Sequence, residues 1–204
     1  MALIDSYATL AELKSRLRIA ESDEVDDDGL TAALAVASRG IESCCNRQFN
    51  DAGSATARLF HPPAVGAAEV DDFSTIVGLL VETDPLTDGT FTSTWAASDY
   101  ELRPLNGVVG GVPGWPYWRI RPIGRRFTCW TDRATLRVTA RWGWATVPAP
   151  IKEATLILAE DVFKLKDSPF GAGGYGEYGR IRARENPNVW LRIAPYVRDA
   201  VLVA

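Results

Sequence analysis

The sequence predicts an α+β protein: a small antiparallel helical module, an inserted antiparallel β lobe and a flexible C-terminal arm. Three observations carry this. Apolar residues recur at helical spacing over about residues 9–45 and again over 148–165. Between Ala55 and Trp144, β-branched and aromatic residues alternate with polar ones, broken by Pro and Gly. A Gly- and Tyr-rich stretch over Ser168–Gly179 then separates the last long helix from a basic tail. The chain divides into residues 1–54 (N-terminal helical part), 55–145 (inserted β domain), 146–167 (third helix of the module) and 168–204 (Gly-rich loop and arm with a short helix).

The first helix opens on Thr9-Leu10-Ala11-Glu12, a capping box in which the Thr9 hydroxyl and Glu12 satisfy first-turn N–H groups reciprocally. Leu10, Leu13 and Leu17 share one face, and the helix should stop near Ile19. The acidic loop Glu21–Gly29 places negative charge at the positive end of the next helix. It does not fit a calcium-binding loop: with Gly29 at the glycine position, the final ligand position falls on Ala35. The second helix covers about Leu30 to Cys45, with Leu30, Leu34, Ala37, Ile41 and Cys44 at helical spacing. Candidate strands are Thr56–Phe60, Ile76–Glu82, Tyr100–Arg103, Tyr117–Arg121 and Thr135–Trp142, with a hairpin-type turn at Asp88-Gly89. Leu105–Pro116, with four glycines and two prolines, reads as a long irregular loop. Pro148 and Pro150 suit the first turn of a third helix, whose broad stripe (Ile151, Ala154, Leu158, Val162, Leu165) predicts burial on more than one side. A short final helix runs from Pro187 to about Ala194.

Composition excludes several classes of function. The 204 residues are 47% hydrophobic, enough for a core without metals or disulfides. A single histidine, His61, and three cysteines (Cys44, Cys45, Cys129) rule out His-rich metal sites and mechanisms needing two imidazoles. No metal or cofactor is expected. The odd cysteine count, with an adjacent pair, predicts reduced, mostly buried thiols. No Ser or Cys lies in a nucleophile context near His61, which reads as a surface or hydrogen-bonded turn residue before Pro62-Pro63, so no enzymatic activity is expected. The N-terminus lacks a signal-peptide pattern, and the apolar runs are far short of the ~20 residues a membrane span needs.

The net charge of −4 conceals a polarity. Residues 1–100 carry 6 basic and 17 acidic side chains, a net −11; residues 101–204 carry 16 basic and 9 acidic, a net +7. Either copies meet head to tail through these halves, or folding brings the halves together and cancels the field. Gly171-Ala172-Gly173-Gly174-Tyr175-Gly176 matches G-x-G-x-x-G, but it follows a helix and leads into more glycine, so it reads as a loop. Six of seven tryptophans lie between Trp95 and Trp144 among eight arginines, the composition of a single-strand-binding β-barrel. Strand alternation competes with that: Leu136, Val138, Ala140 and Trp142 point in, while Thr135, Arg137, Thr139 and Arg141 point out. A nucleic-acid-binding β module with helical appendages is the alternative reading.

The order of elements completes the picture. A capped helix, an acidic loop, and a helix ending Ile41-Glu42-Ser43-Cys44-Cys45-Asn46-Arg47-Gln48-Phe49 come first. After the β insertion comes Gly143-Trp144-Ala145-Thr146-Val147-Pro148-Ala149-Pro150-Ile151-Lys152-Glu153-Ala154. This resembles the head–tail connector, or head-completion adaptor, family of tailed phages. The family pattern falls on Ile41, Glu42, Arg47 and Phe49, then on Gly143, Trp144, Val147, Pro148, Ile151, Lys152 and Ala154. The resemblance covers about residues 5–50 and 141–204, and the chain departs from the shortest members by its β insertion. It implies a structural protein of the virion neck: a ring of about twelve copies under the portal protein. That ring would extend the channel for double-stranded DNA, without sequence-specific binding, and offer a docking surface to a stopper or tail terminator. No membrane partner is implied. The arm, with Tyr175, Tyr178, Arg180, Arg182, Arg184, Trp190, Arg192 and Tyr196, is the candidate surface for docking to a neighbouring subunit or the portal.

Overall fold

The computed structural model describes residues 6–164 and 183–198, and is α+β with antiparallel sheets. The chain forms two compact units: a helical unit from the segments up to Phe49 and from Val147 onward, and a β unit from Asn50–Thr146.

In the helical unit, α1 spans Leu10–Leu17. Its capping box is formed, with Glu12 N–H donating to Thr9 Oγ1 (3.2 Å) and Thr9 N–H donating to Glu12 Oε2 (2.8 Å). The helix ends before Ile19 because Arg18 takes a left-handed conformation, φ 60°, that closes the last turn. Helix α2 spans Asp27–Cys45 and starts three residues before Leu30, since Asp27 and Asp28 suit the positive end of its dipole. The predicted stripe Leu30, Leu34, Ala37, Ile41 and Cys44 is buried throughout. Helix α3, Ala149–Lys164, packs against α1, α2 and the last helix, and its buried stripe is correspondingly wide (Ile151, Ala154, Thr155, Leu156, Leu158, Ala159, Val162).

The last helix, α4, spans Pro187–Ile193. The Asn186 side chain caps it, accepting from the N–H groups of Asn188 and Val189, and donates to Asp161 on α3 at 2.8 Å. Ala183, Val189 and Ile193 are fully buried. Past the helix, Arg198 N–H donates to the Cys45 carbonyl at 2.9 Å. The described part of the expected docking arm from Pro187 thus packs into the core of its own unit, which leaves only its exposed side chains to meet a neighbour. Burying a Val or Ile side chain yields about 2 kcal/mol, enough to offset the ordering of a short helix that already has a cap and a docking face. The glycine-rich segment and its G-x-G-x-x-G motif lie outside the described residues.

The β unit holds three sheets. A four-stranded sheet has β1 (Ala55–Phe60), β9 (Leu136–Arg141), β3 (Leu80–Thr83) and β4 (Ser93–Trp95) in that spatial order. A three-stranded sheet has β2 (Ala68–Phe73), β8 (Tyr117–Pro122) and β5 (Tyr100–Arg103). Strands β6 (Val108–Val109) and β7 (Val112–Pro113) pair as a small hairpin inside the stretch expected to be irregular. Both larger sheets contribute to one core: Ala68, Val70, Phe73 and Ile120 from one, Val81, Trp95, Leu136, Val138 and Ala140 from the other, with Trp142 and Phe127. Leu136, Val138 and Ala140 point inward, as the alternation predicts. Thr135 was expected outward but is buried, because the strand begins one residue later and the Thr135 hydroxyl donates to the Thr128 carbonyl. Strand β3 starts at Leu80 rather than Ile76, since Ile76–Leu79 forms a turn. The chain around Asp88-Gly89 joins β3 to the antiparallel β4.

Candidate functional site

The family-type motif positions are the natural candidates, and the structure assigns most of them to folding. In the helical unit, the Tyr7 hydroxyl donates to Glu42 and accepts from Phe49 N–H at 3.0 Å. Tyr7 N–H donates to Ser38 Oγ (3.1 Å), and that hydroxyl donates on to the Leu34 carbonyl (2.8 Å). Arg39 pairs with Glu42 at 3.2 Å. The Phe49 ring, fully buried, meets Tyr7 and Tyr196 edge-on at 5.6 and 5.9 Å between centroids. Ile41 is fully buried beside this lock, and Arg47 is buried too. Burial pushes the Glu42 carboxyl above its ordinary range, against the hydrogen bond from Tyr7. The same burial, reinforced by Glu42, raises the Tyr7 hydroxyl strongly. A Tyr7→Phe substitution would leave Glu42 and the Phe49 N–H without that hydroxyl. It should cost about 2–3 kcal/mol in chemical denaturation.

In the β unit, Gly143 holds φ +98°, and a Cβ there would lie 1.7 Å from the Asn50 carbonyl oxygen. Gly143 N–H donates to the Asp72 carbonyl at 2.6 Å, and the buried Trp144 donates its Nε1–H to Asp72 Oδ2 at 3.0 Å. These contacts pin the chain ends of the β unit, where it enters at Asn50 and leaves after Trp144. In the helical unit, Lys152 Nζ donates to Glu12 Oε1 at 2.9 Å, tying α3 to the capping box of α1. Val147 and Pro148 are half-buried ahead of α3.

The charge polarity of the sequence does not survive folding. The acidic and basic halves pair: Arg16 with Glu153 and Glu160, Lys152 with Glu12, Arg119 with Glu69, Arg125 with Asp99, Arg137 with Glu82 and Arg141 with Asp51. The segments 1–49 and 147–199 hold 13 basic and 16 acidic side chains, a net −3, while residues 50–146 hold 9 and 10, a net −1. Hydrogen bonds from Arg137, Arg141 and Lys164 are the largest influences holding Glu82, Asp51 and Glu160 below their ordinary carboxylate values. For Glu12 the largest is the Thr9 backbone N–H. A depressed pKa contributes stability that is complete above the unfolded value and is lost as pH falls through the folded one. Stability should therefore drop below about pH 4.5, the ordinary Glu value. Glu82→Gln should make that acid limb shallower in a pH series of thermal melts; an unchanged limb would contradict the assignment.

Other singled-out residues find structural places. His61 is exposed and its Nε2 is hydrogen-bonded to the Thr131 carbonyl at 2.6 Å. Cys44 and Cys45 are buried free thiols, and burial pushes Cys45 up to about 12. Among the described residues, no three His, Cys, Asp or Glu side chains cluster closely enough to hold a metal ion. Trp95, Trp142 and Trp144 are buried, Trp95 stacked on Phe127 at 4.9 Å, and only Trp130 of this cluster is exposed. Arg119 and Arg121 sit on the three-stranded sheet and Arg137 on the other.

Of the arm residues, Tyr175, Tyr178, Arg180 and Arg182 lie outside the described residues. Arg184 and Trp190 are exposed. Arg192 is half-buried and bonded to the Asn188 carbonyl, and Tyr196 is half-buried against Phe49. A feature missed in the sequence lies on the β unit. An open groove of about 510 Å³ is lined by Arg103, Arg119 and Arg121 with Trp118, Pro104 and the Gly66-Ala67 backbone. The strand register sets Arg103 opposite Arg119 and Glu101 opposite Arg121. The available signal was the alternation of Arg119 and Arg121 on one strand; Arg103 joins them only through the pairing of β5 with β8.

No protein-family model matches the chain, and no curated protein matches it. Solved structures do. The chain is similar to one from the neck of an empty gene transfer agent (GTA) particle computed with C6 symmetry, at a TM-score of 0.58 and 18% identity, covering 100% of this chain and 96% of that one. It is similar to one from the neck of a native GTA particle computed with C12 symmetry, at a TM-score of 0.52 and 16% identity, covering 96% and 91%. A third, from the virion of a native GTA particle, gives a TM-score of 0.56 at 17% identity, covering 100% and 96%. The chain therefore has the fold of these neck and virion chains, β insertion included.

Proposed function

We propose that this protein is a structural component of a virion neck, a head-to-tail adaptor. It assembles as a ring beneath the portal protein, lengthens the DNA channel and presents the surface on which a stopper or tail terminator docks. One observation carries the reading: the end-to-end likeness of its fold to chains of particle necks, over 100% of this chain in two cases. The C6 and C12 symmetries of those necks support self-association into a ring of twelve copies. The residues agree with work done by surfaces. The family-type motifs build the lock around Phe49 in the helical unit and the pinned turn at Gly143 in the β unit, each bracing its own unit. Pairing of outward arginines such as Arg119, Arg137 and Arg141 with carboxylates, and the net negative charge of both units, suit a wall past which DNA slides, since like charge lowers affinity for phosphates.

The packing of α4 changes how an arm must be tested. Deleting residues 170–204 would strip Val189 and Ile193 from the core, so failure to dock would report unfolding. Exchange of exposed Arg184 and Trp190 for Glu and Ala is cleaner: docking to portal-bearing heads should fall while the helical circular dichroism stays unchanged. Undiminished docking would remove these two from the interface. For the function itself, deleting the gene should leave DNA-packaging heads that lack tails, visible by negative-stain microscopy. Fully tailed particles from the deletion strain would refute the proposal.

A further inference from the structure

The groove on the three-stranded sheet and the acidic turn before α2 carry complementary, unspent charge. On the groove, Arg119 is paired with Glu69, and Arg103 with Glu101 at 2.8 Å. Arg121 stands opposite Glu101, whose carboxylate Arg103 has already taken, and Arg121 makes no ion pair among the described residues. The result is three guanidiniums against two carboxylates, with Trp118 and Pro104 as apolar wall. On the helical unit, Glu21, Asp23, Glu24 and Asp28 are exposed and make no ion pair among the described residues, whereas Asp27 is held by Lys14. Their turn is built: Asp23 N–H donates to the Ala20 carbonyl (3.0 Å), Val25 N–H to Asp23 Oδ1 (3.2 Å) and Asp27 N–H to the Glu24 carbonyl (3.3 Å). At its tip Val25 is 92% exposed, the most exposed large apolar side chain described. Among the described residues, the groove thus keeps a guanidinium with no carboxylate on it, and the acidic turn keeps carboxylates with no cation on them beside an exposed apolar tip.

We propose that the arginine groove is an interface to a second copy of this chain, whose acidic turn Glu21–Asp28 seats in it with Val25 against Trp118 and Pro104 and with Asp23 or Glu24 on Arg121. This rests on the ring reading and names one of its subunit contacts. Nucleic acid is the less suitable occupant: Glu69 and Glu101 already neutralise Arg119 and Arg103, which leaves a run of phosphates one unpaired guanidinium, while a short turn needs to bring only one carboxylate to it. A turn fixed by its own hydrogen bonds also loses little freedom on docking.

Two measurements on the full chain test it. First, a peptide of residues 20–28 is titrated at low salt while tryptophan fluorescence is followed. Saturable binding that weakens at least tenfold in Arg121→Glu is expected, since reversing a docking charge acts directly on the contact. Absence of binding overturns the proposal, as does a short DNA duplex that binds more tightly than the peptide with the same dependence on Arg121. Second, on a Cys129→Ser background, an Arg121→Cys variant and a Glu24→Cys variant are mixed under mild oxidation. A disulfide joining the two chains supports the contact and can form only between copies. If the wild-type chain self-associates by sedimentation but the mixed variants do not link, this contact falls and the ring stands. If it stays monomeric yet binds the peptide as predicted, the groove assignment holds and the ring reading falls.

Discussion

Replacing Gly143 with alanine should destabilise the protein by about 3–5 kcal/mol, the largest effect expected of a single methyl group here. Two costs add. The backbone holds φ +98°, which an L side chain rarely adopts, and the new Cβ would fall 1.7 Å from the Asn50 carbonyl oxygen. Backbone cannot rotate aside as a side chain can. Gly143 N–H is also committed to the Asp72 carbonyl, and the next residue, Trp144, to the Asp72 side chain, so a shift at Gly143 breaks two further bonds. Denaturant unfolding followed by tryptophan fluorescence reads the change, because Trp142 and Trp144 flank the site and are buried. A loss under about 1 kcal/mol would show that the turn can relax and that the glycine is not what pins it.

Phe49→Ala should cost about 3–5 kcal/mol. The ring is fully buried and joins three stretches of the helical unit: the Tyr7 segment, the end of α2 and the turn after α4. Removing it opens a cavity and cancels two edge-to-face contacts. Phe49→Leu keeps most of the volume and should cost about half as much, which separates packing from ring geometry. Far-ultraviolet circular dichroism during denaturation follows the helices of this unit. If Phe49→Ala were nearly neutral, the Tyr7–Phe49–Tyr196 cluster would not be what holds the C-terminal turn to α2.

Much of the helical unit was legible because its signals are local. The Thr9–Glu12 box and the stripe of α2 depend on residues three or four apart. Strands β5, β8 and β9 were legible from their alternation. Strand β2 was missed because Ala-Glu-Val-Asp-Asp-Phe looks acidic, and only its pairing with β8 and the burial of Asp72 beside Trp144 make it a strand. The length of β4, three residues, is below what any pattern resolves. Charge left two readings open for a similar reason. Polarity along the chain vanished because the antiparallel fold brings late arginines to early carboxylates, as Arg141 to Asp51. The motif residues were found in sequence, but their work was not: that Gly143 faces Asn50, or that Glu42 receives Tyr7, is a property of contacts 93 and 35 residues apart, visible only once the chain is folded.

The groove shows the same limit from the other side. Arg103, Arg119 and Arg121 are scattered in sequence, and the register of β5 on β8 gathers them. What distinguishes Arg121 in the groove is that it makes no ion pair among the described residues, the facing Glu101 being paired with Arg103.

The central claim is the place of this protein in a particle. Cryo-electron microscopy of purified particles, with this chain carrying a small fused tag, tests it most directly. The account predicts tag density in a closed ring at the head–tail junction, between portal and tail, with a copy number matching twelvefold or sixfold symmetry. Tag density on the capsid shell or along the tail, or particles devoid of the protein, would contradict it.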